Sequence, residues 1–173
     1  MKSYKEFLLL EGKIKKKPFN KNPNIGWWLD NDPITFYHGT HIRNIDYIEK
    51  NGLKSPKEGP TAGWISLALE PNTAYGYASM SGAGGESEFR SAGHKAITTK
   101  KEERVVFIIK LPKKLVLSKM GKERGAMQST RTKLINKNEY ESWNKTDQEY
   151  YALTEIRMPN KIDTKFIKGY MVK

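Results

Sequence analysis

Short apolar segments alternate with longer polar segments along the chain, and five of the apolar segments have the length of β-strands. Each is rich in the β-branched and aromatic residues that favour extended backbone. The predicted strands are residues 34–38, 63–68, 104–112, 151–157 and 162–172. Segment 104–112 is the most continuously apolar of these and predicts a buried strand.

Two helices are predicted between the first and the third strand. Isoleucine recurs at three-residue spacing after His41, which predicts an amphipathic helix over residues 41–51. Gly52 then stands where such a helix would end. A second helix is predicted to open at Glu70-Pro71, because proline is tolerated in the first helical turn.

The polar segments predict the domain organisation. Residues 12–24 are rich in Lys, Asn and Pro and predict a linker, while the Gly/Ser-rich residues 79–99 predict a loop. Strands dominate and do not alternate regularly with helices, which predicts an α+β fold of mainly antiparallel sheets with flanking helices. We expect residues 1–24 to form an N-terminal leader and basic linker, and residues 25–173 to form one domain.

Composition narrows the possible classes of function. The chain has 173 residues, enough for one domain with a buried core. It has no cysteine, which excludes disulfides, thiolate zinc sites and a cysteine nucleophile. No apolar run reaches the roughly 18 residues that cross a bilayer, so we expect no membrane partner. Only His38 and His41 lie close together among three histidines, so we expect no metal site. We also expect the protein to be a monomer.

The formal net charge of +12 is concentrated in two segments. Residues 12–21 carry +5 and residues 113–137 carry +7, so the rest of the chain is neutral overall. Basic segments raise the local affinity for polyanions. They indicate contact with nucleic acid or with an acidic protein surface, although lysine-rich loops can equally serve only to keep a protein soluble.

Three separate segments carry candidate chemistry. Tyr37-His38-Gly39-Thr40 ends an apolar strand, Ala74-Tyr75-Gly76-Tyr77-Ala78 lies in the second predicted helix, and Glu155 has apolar neighbours. A histidine at a strand end can hydrogen-bond a ribose hydroxyl, a glycine lets a ligand approach the backbone, and an aromatic ring can stack on a flat heterocycle. A carboxylate can stabilise positive charge that develops on a sugar carbon.

In this order and spacing the three segments resemble the site of the diphtheria-toxin-like branch of ADP-ribosyltransferases, whose signature is His-Tyr-Glu. The likeness spans residues 34–172, with specific identity confined to the three segments. It implies an ADP-ribosyltransferase-like fold of split, mainly antiparallel sheets, with NAD as the substrate.

The resemblance also implies a role for each matched residue. His38 would orient the nicotinamide ribose, Gly39 would bond the carboxamide, and Thr40 would lie near the adenosine side. Tyr77 would stack on the nicotinamide, and Glu155 would be the catalytic acid.

The motif tyrosine of the family's second strand is replaced in this chain. Its position is Ser66, or Trp64 in a register closer to the rifamycin-modifying branch. Side chains alternate along a strand, so both share one face and we expect one of them to face the nicotinamide. Leu153 stands where the arginine-modifying branch carries Gln or Glu, which argues against arginine as the acceptor.

Other interpretations of these residues stay open at the level of sequence. His38 could be a core histidine, and Glu155 could be the salt-bridge partner of a strand edge. Tyr75 is a second candidate for cofactor contact beside Tyr77, and one of the two tyrosines could be a core aromatic. Glu149, six residues before Glu155, is the rival acid.

The first dozen residues resemble the capsid-targeting leader of internal head proteins in large contractile-tailed phages. In those leaders a Met-Lys-x-Tyr/Phe-x-Glu-Phe opening precedes a Leu-x-Glu cut, and here the cut would follow Leu9-Leu10-Glu11. This implies localisation in the virion head and then in the host cytoplasm. The alternative is an ordinary cytoplasmic protein whose first helix packs Phe7 and Leu8 on the domain.

Together these features imply a transferase that moves ADP-ribose from NAD to a macromolecular acceptor, a host protein or nucleic acid, and releases nicotinamide. Residues 79–103 and 113–137 are the expected acceptor contacts. The alternatives are an NAD glycohydrolase on the same fold, an RNA 2′-phosphotransferase, whose additional His and Arg are not evident, and a non-catalytic basic head protein that binds DNA.

Overall fold

The computed structural model describes residues 14–20, 28–57, 62–78, 103–119, 134–153 and 155–173. The strands in these ranges are β1 (Lys16–Pro18), β2 (Ile34–His41), β3 (Leu53–Lys54), β4 (Trp64–Ala68), β5 (Arg104–Leu111), β6 (Glu155–Pro159), β7 (Lys161–Ile162) and β8 (Ile167–Val172). The helices are α1 (Ile45–Asn51), α2 (Pro71–Tyr77), α3 (Lys113–Lys119), α4 (Lys137–Glu141) and α5 (Lys145–Ala152). Short 3-10 helices cover Ile42–Asn44 and Thr164–Phe166.

Six of the strands form one sheet in the order β1-β8-β5-β2-β4-β6, and β3 pairs with β7 in a separate two-stranded sheet. Neighbouring strands of the large sheet are antiparallel except β1 and β8, which are parallel. The longest ladder joins β2 to β5, from Ile34 opposite Leu111 to His41 opposite Arg104. The predicted α+β class with mainly antiparallel strands is confirmed.

The two faces of the large sheet carry separate apolar clusters. Phe36 and Leu67 point into the larger cluster, which helices α1, α3 and α5 also join. Trp28 lies in the same cluster. The smaller cluster holds Tyr37 of β2 and Tyr75 of α2. Helix α2 therefore packs on the face opposite the larger core.

Local sequence features determine how the first two helices begin and end. The predicted helix over residues 41–51 forms as a 3-10 turn followed by α1, which ends at Gly52. Gly52 has a φ of 74°, a conformation that glycine adopts without strain. Pro71 occupies the first turn of α2, as predicted.

The strand predicted over residues 151–157 is wrong in its first part. Tyr151 lies in the last turn of α5, and strand β6 begins only at Glu155. The side chain of Asn144 accepts a hydrogen bond from the backbone N–H of Asp147 at 2.9 Å and caps the start of α5. Because a short apolar run looks the same at a buried helix end and in a strand, periodicity did not separate the two.

Part of the segment predicted as a linker belongs to the sheet. Strand β1 lies along β8, and the N–H of Tyr170 donates a hydrogen bond to the carbonyl of Lys15 at 3.1 Å. Phe19 follows β1 and packs its ring edge-on against Tyr75, with centroids 5.4 Å apart. The lysine-rich composition does not predict this strand, because its side chains are exposed and it pairs with β8 through backbone hydrogen bonds.

Several predicted segments lie outside the described residues, namely the leader over residues 1–12, the loop over residues 79–99 and the part of the basic segment at residues 120–133. Within the described ranges, no helix combines the length and the apolar character needed to cross a membrane.

Candidate active site

The candidate site lies where strands β2 and β4 stop pairing. Their ladder consists of one pair, Tyr37 with Ala68. At the next residue of β2, the imidazole Nδ1 of His38 donates a hydrogen bond to the backbone carbonyl of Ser66 at 2.9 Å. The imidazole therefore bridges the two strands just beyond their backbone pairing.

The hydrogen bond of His38 determines which ring nitrogen is available to a ligand. A backbone carbonyl can only accept, so Nδ1 carries the hydrogen and Nε2 of the neutral ring is an acceptor. Burial lowers the pKa of His38 from its ordinary 6.5, against the smaller opposing effects of the Ser66 hydrogen bond and the negative charge of Glu155. The ring is therefore neutral near pH 7, and Nε2 can accept a hydrogen from a hydroxyl.

Glu155 begins β6 next to β4 and is held through one carboxylate oxygen. Its Oε1 accepts hydrogen bonds from the hydroxyl of Ser66 and from Nε of Arg157, the latter at 3.1 Å. The Glu155 side chain is 20% exposed, so solvent reaches part of it. Ser66 thus contacts Glu155 through its side chain and His38 through its backbone.

Strand register places the charged side chains on one face of the sheet. Ser66 is paired with Arg157, and Ala68 is paired with Glu155, so these side chains share one side. Tyr77 of α2 lies within electrostatic reach of Glu155 and Arg157. Burial raises the pKa of the Tyr77 phenol, the charge of Glu155 raises it further, and Arg157 opposes this effect.

Gly39 allows α2 to lie close against β2. A Cβ at this position would come within 1.7 Å of the carbonyl oxygen of Ala74 and 3.1 Å of the backbone nitrogen of Ala78. No side chain can be accommodated at these distances, so the glycine sets how closely the helix carrying Tyr77 approaches the strand. The residue predicted to let a ligand approach therefore also lets a helix approach.

Thr40 and Tyr75 are buried and engaged by other protein groups. Thr40 is 4% exposed, and its hydroxyl oxygen accepts a hydrogen bond from the side chain of Asn44 at 2.9 Å. Tyr75 is 8% exposed and belongs to the smaller core cluster, with Phe19 against its ring. Both residues have packing roles, whereas the phenol of Tyr77 is within electrostatic reach of Glu155 and Arg157.

The two candidates for the motif tyrosine position differ in what they contact. Ser66 bonds directly to Glu155, whereas Trp64 lies two residues earlier on the same strand face and is 8% exposed. The rival acid, Glu149, lies on α5 with its side chain 69% exposed and forms an ion pair with Lys145 at 3.8 Å. The structure therefore joins Glu155, and not Glu149, to the strand residues of the site.

Arg157 is a site residue that the sequence reasoning missed. It lies two residues after Glu155, and strand alternation alone would put both side chains on one face. With 31 lysines and arginines in the chain, one more basic residue does not stand out by type. Its burial depends on neighbouring elements such as β4, which pairs with β6, and this is a tertiary feature.

Comparison with protein-family models and with curated proteins finds no match for this chain. The chemistry of the site therefore rests on its own residues. No group of three or more His, Asp or Glu side chains suited to a metal occurs in the described ranges. A carboxylate with one oxygen fixed, a neutral imidazole acceptor and a nearby phenol ring can bind adjacent hydroxyls and a flat ring, and can stabilise a developing cation.

Proposed function

We propose that this protein is an NAD-dependent ADP-ribosyltransferase, which moves ADP-ribose from NAD to a macromolecular acceptor and releases nicotinamide. The observation that carries the proposal is the contact of Glu155 with Ser66, whose carbonyl also accepts the hydrogen bond of His38. These contacts span 89 and 28 residues of sequence, so their convergence does not follow from local sequence.

The proposed reaction breaks the bond between C1′ of the nicotinamide ribose and the nicotinamide nitrogen. The electron pair leaves with nicotinamide, and positive charge develops on C1′ and the ring oxygen. Glu155 accepts a hydrogen bond from a ribose hydroxyl and stabilises this charge. Nε2 of His38 accepts a hydrogen bond from a second ribose hydroxyl, and the Tyr77 ring stacks on the nicotinamide. A nucleophilic atom of the acceptor then bonds to C1′ and releases its proton to water.

The architecture supports an ADP-ribosyltransferase-like fold as part of the proposal. The sheet is mostly antiparallel, and α2 packs on the face that carries the charged residues. The single paired position between β2 and β4 is where a split between two sheets would lie. His38 of β2 and Ser66 of β4 lie just beyond that position and are joined by a hydrogen bond.

The direct test is turnover of NAD labelled in its adenylate phosphate, in the presence of a bacterial lysate. We expect the wild-type protein to release nicotinamide and to transfer label to a macromolecule. Glu155→Gln should lower both rates by at least about 100-fold, because a neutral amide stabilises the developing cation far less than a carboxylate does.

Glu149→Gln is the matched control for this test. It makes the same chemical change on the exposed part of α5, so we expect wild-type rates. An equal loss of turnover in the two variants, or a wild-type protein that turns over no NAD, contradicts the proposal.

Two other functions give different results in the same assay. An NAD glycohydrolase uses water as the acceptor, so nicotinamide would appear without transfer of label. The net charge of +12 favours, as a second candidate, a non-catalytic protein that binds DNA. That protein would bind DNA equally well with Gln at position 155 and would release no nicotinamide.

We also propose that residues 1–11 are a leader that directs the protein to a phage head, from which it would be injected to modify a host factor. Coexpression with a phage prohead protease, followed by mass measurement of the intact protein, tests this. We expect a new N-terminus at Gly12. A chain that stays uncut contradicts the leader and leaves the proposed enzymatic activity unaffected.

A further inference from the structure

Arg157 is buried beside the candidate acid, and one of its nitrogens has no acceptor. The side chain is 7% exposed, and its Nε donates to Oε1 of Glu155 at 3.1 Å. The terminal nitrogen Nη1 is buried without a hydrogen-bond partner in the part of the chain that the structure describes. Buried polar groups in folded proteins are nearly always paired, so an orphaned guanidinium nitrogen requires an explanation.

Stability does not explain why an arginine stands at this position. Burial removes the guanidinium from water, and one contact with a partly exposed carboxylate compensates only part of that cost. An apolar side chain of similar volume in place of a buried ion is often neutral or stabilising. We therefore expect Arg157 to serve a purpose other than holding the fold together.

The geometry around Glu155 indicates that purpose. Ser66 and Arg157 are paired across β4 and β6, so their donors approach the carboxylate from adjacent strands. Both donors bond to Oε1, and two donors on one oxygen restrict the direction of the carboxylate. Among the described residues, no donor bonds to Oε2, so this oxygen is the one that a ligand hydroxyl can use.

We propose that Arg157 is a positioning residue, which together with Ser66 holds Oε1 of Glu155 so that Oε2 faces the ligand. This inference rests on the proposed function, because it concerns the acid that the reaction uses. Arg157 touches Glu155 rather than the reacting atoms. Its effect on the rate is therefore exerted through Glu155.

The test compares Arg157→Met and Arg157→Lys, each in the wild-type and in the Glu155→Gln background. We expect Arg157→Met to lower kcat for nicotinamide release by about 100-fold, the size of effect that a misplaced catalytic group produces. KM should change by less than about threefold, because substrate contacts are retained. Arg157→Lys should recover part of the rate, since an ammonium group can also donate to Oε1.

The double variant separates positioning from a direct role. With Gln at position 155, Arg157→Met should cause no further loss of kcat, because the group that Arg157 orients is already absent. The thermal unfolding midpoint of Arg157→Met should equal or exceed that of the wild type. Lys161→Met is the matched control, because Lys161 forms an ion pair with Asp163 two residues away, at 3.1 Å, outside the site.

Three results would overturn the positioning role while leaving the proposed function intact. These are an unchanged kcat in Arg157→Met, an equal loss in the two backgrounds, and a loss of kcat that appears only with a lowered unfolding midpoint in both Arg157 variants. A wild-type protein that releases no nicotinamide instead overturns the proposed function, and this inference with it.

Discussion

His38 and Gly39 are neighbours on β2 with different roles. The imidazole of His38 hydrogen-bonds the backbone of β4, and the missing side chain of Gly39 makes room for α2. A shift of one residue along β2 would exchange these positions and block the helix. Each residue leads to a prediction that depends only on the structure.

The first prediction concerns Gly39 of β2 and Gly76 of α2. Gly39→Ala should lower the free energy of unfolding by about 1–3 kcal/mol, because its Cβ would overlap the backbone of α2. Gly76→Ala makes the same change within α2, where a Cβ meets no atom within 4 Å, and should raise that free energy by about 0.5–1 kcal/mol. Urea unfolding measures both values, and effects of the same sign would contradict the packing of α2 on β2.

The second prediction concerns pH and the pKa of His38, which burial lowers from 6.5. In the unfolded chain the imidazole takes up a proton near 6.5, whereas in the folded protein it resists protonation until lower pH. The stability that this difference contributes is present above pH 6.5 and is lost as the pH falls through the lowered pKa.

Comparison with His38→Gln isolates this contribution, since glutamine does not titrate. We expect the decrease in unfolding free energy between about pH 7 and about pH 5 to be smaller in the variant than in the wild type. An equal decrease in the two proteins would show that the environment of His38 does not disfavour its charged form.

At the scale of structural elements, an aromatic cluster holds the N-terminal strand against α2. The rings of Phe19 and Tyr75 are 5.4 Å apart, and Nζ of Lys173 lies 4.7 Å from the Tyr75 ring. The guanidinium of Arg104 lies 5.3 Å from the same ring. Because Tyr75 and Tyr77 are on one short helix, this cluster supports the element that carries a candidate site residue.

The third prediction tests whether β1 and Phe19 are integral to the domain. Phe19→Ala should lower the free energy of unfolding by about 2 kcal/mol, through loss of ring packing and of the cation–π contact with Lys173. Lys16→Ala, on an exposed position of β1, should change it by less than about 0.5 kcal/mol. If both variants unfold like the wild type, the segment behaves as the linker that its composition predicts.

At the scale of the whole molecule, the positive charge is not uniformly available to a partner. Lys114 and Lys119 are exposed on α3, within the basic segment at residues 113–137. Lys145 and Lys161 each lie beside a carboxylate, at 3.8 and 3.1 Å. Two lysines can therefore be replaced within the basic segment, and two others beside carboxylates, with the same change in net charge.

The fourth prediction uses this difference to test binding of DNA to the basic segment. Replacing Lys114 and Lys119 with glutamine should reduce the slope of log affinity against log salt by about two, since each neutralised phosphate contributes about 0.9. Replacing Lys145 and Lys161 changes the net charge equally and should leave the slope nearly unchanged. Fluorescence anisotropy with a labelled duplex measures both slopes, and equal effects would show that only net charge matters.

Much of the sheet could be predicted because strand patterns are local. Segments 34–38, 63–68 and 104–112 each contain most of an observed strand, since alternation and β-branched content record which residues are buried. Two errors have different physical causes. An edge strand such as β1 needs only backbone hydrogen bonds, and the apolar end of α5 lacks enough length to show a helical period.

The sequence by itself determined the α+β class, the strand cores and the fact that Glu155 and Arg157 share a strand face, because side-chain alternation is a property of a few consecutive residues. Only the tertiary structure decided that Ser66 meets Glu155 across 89 residues, that His38 bonds the backbone of β4, and that Arg157 is buried. These features depend on which strands become neighbours. The order of strands in the sheet is determined by the packing of the whole domain, and it cannot be predicted from a local sequence pattern.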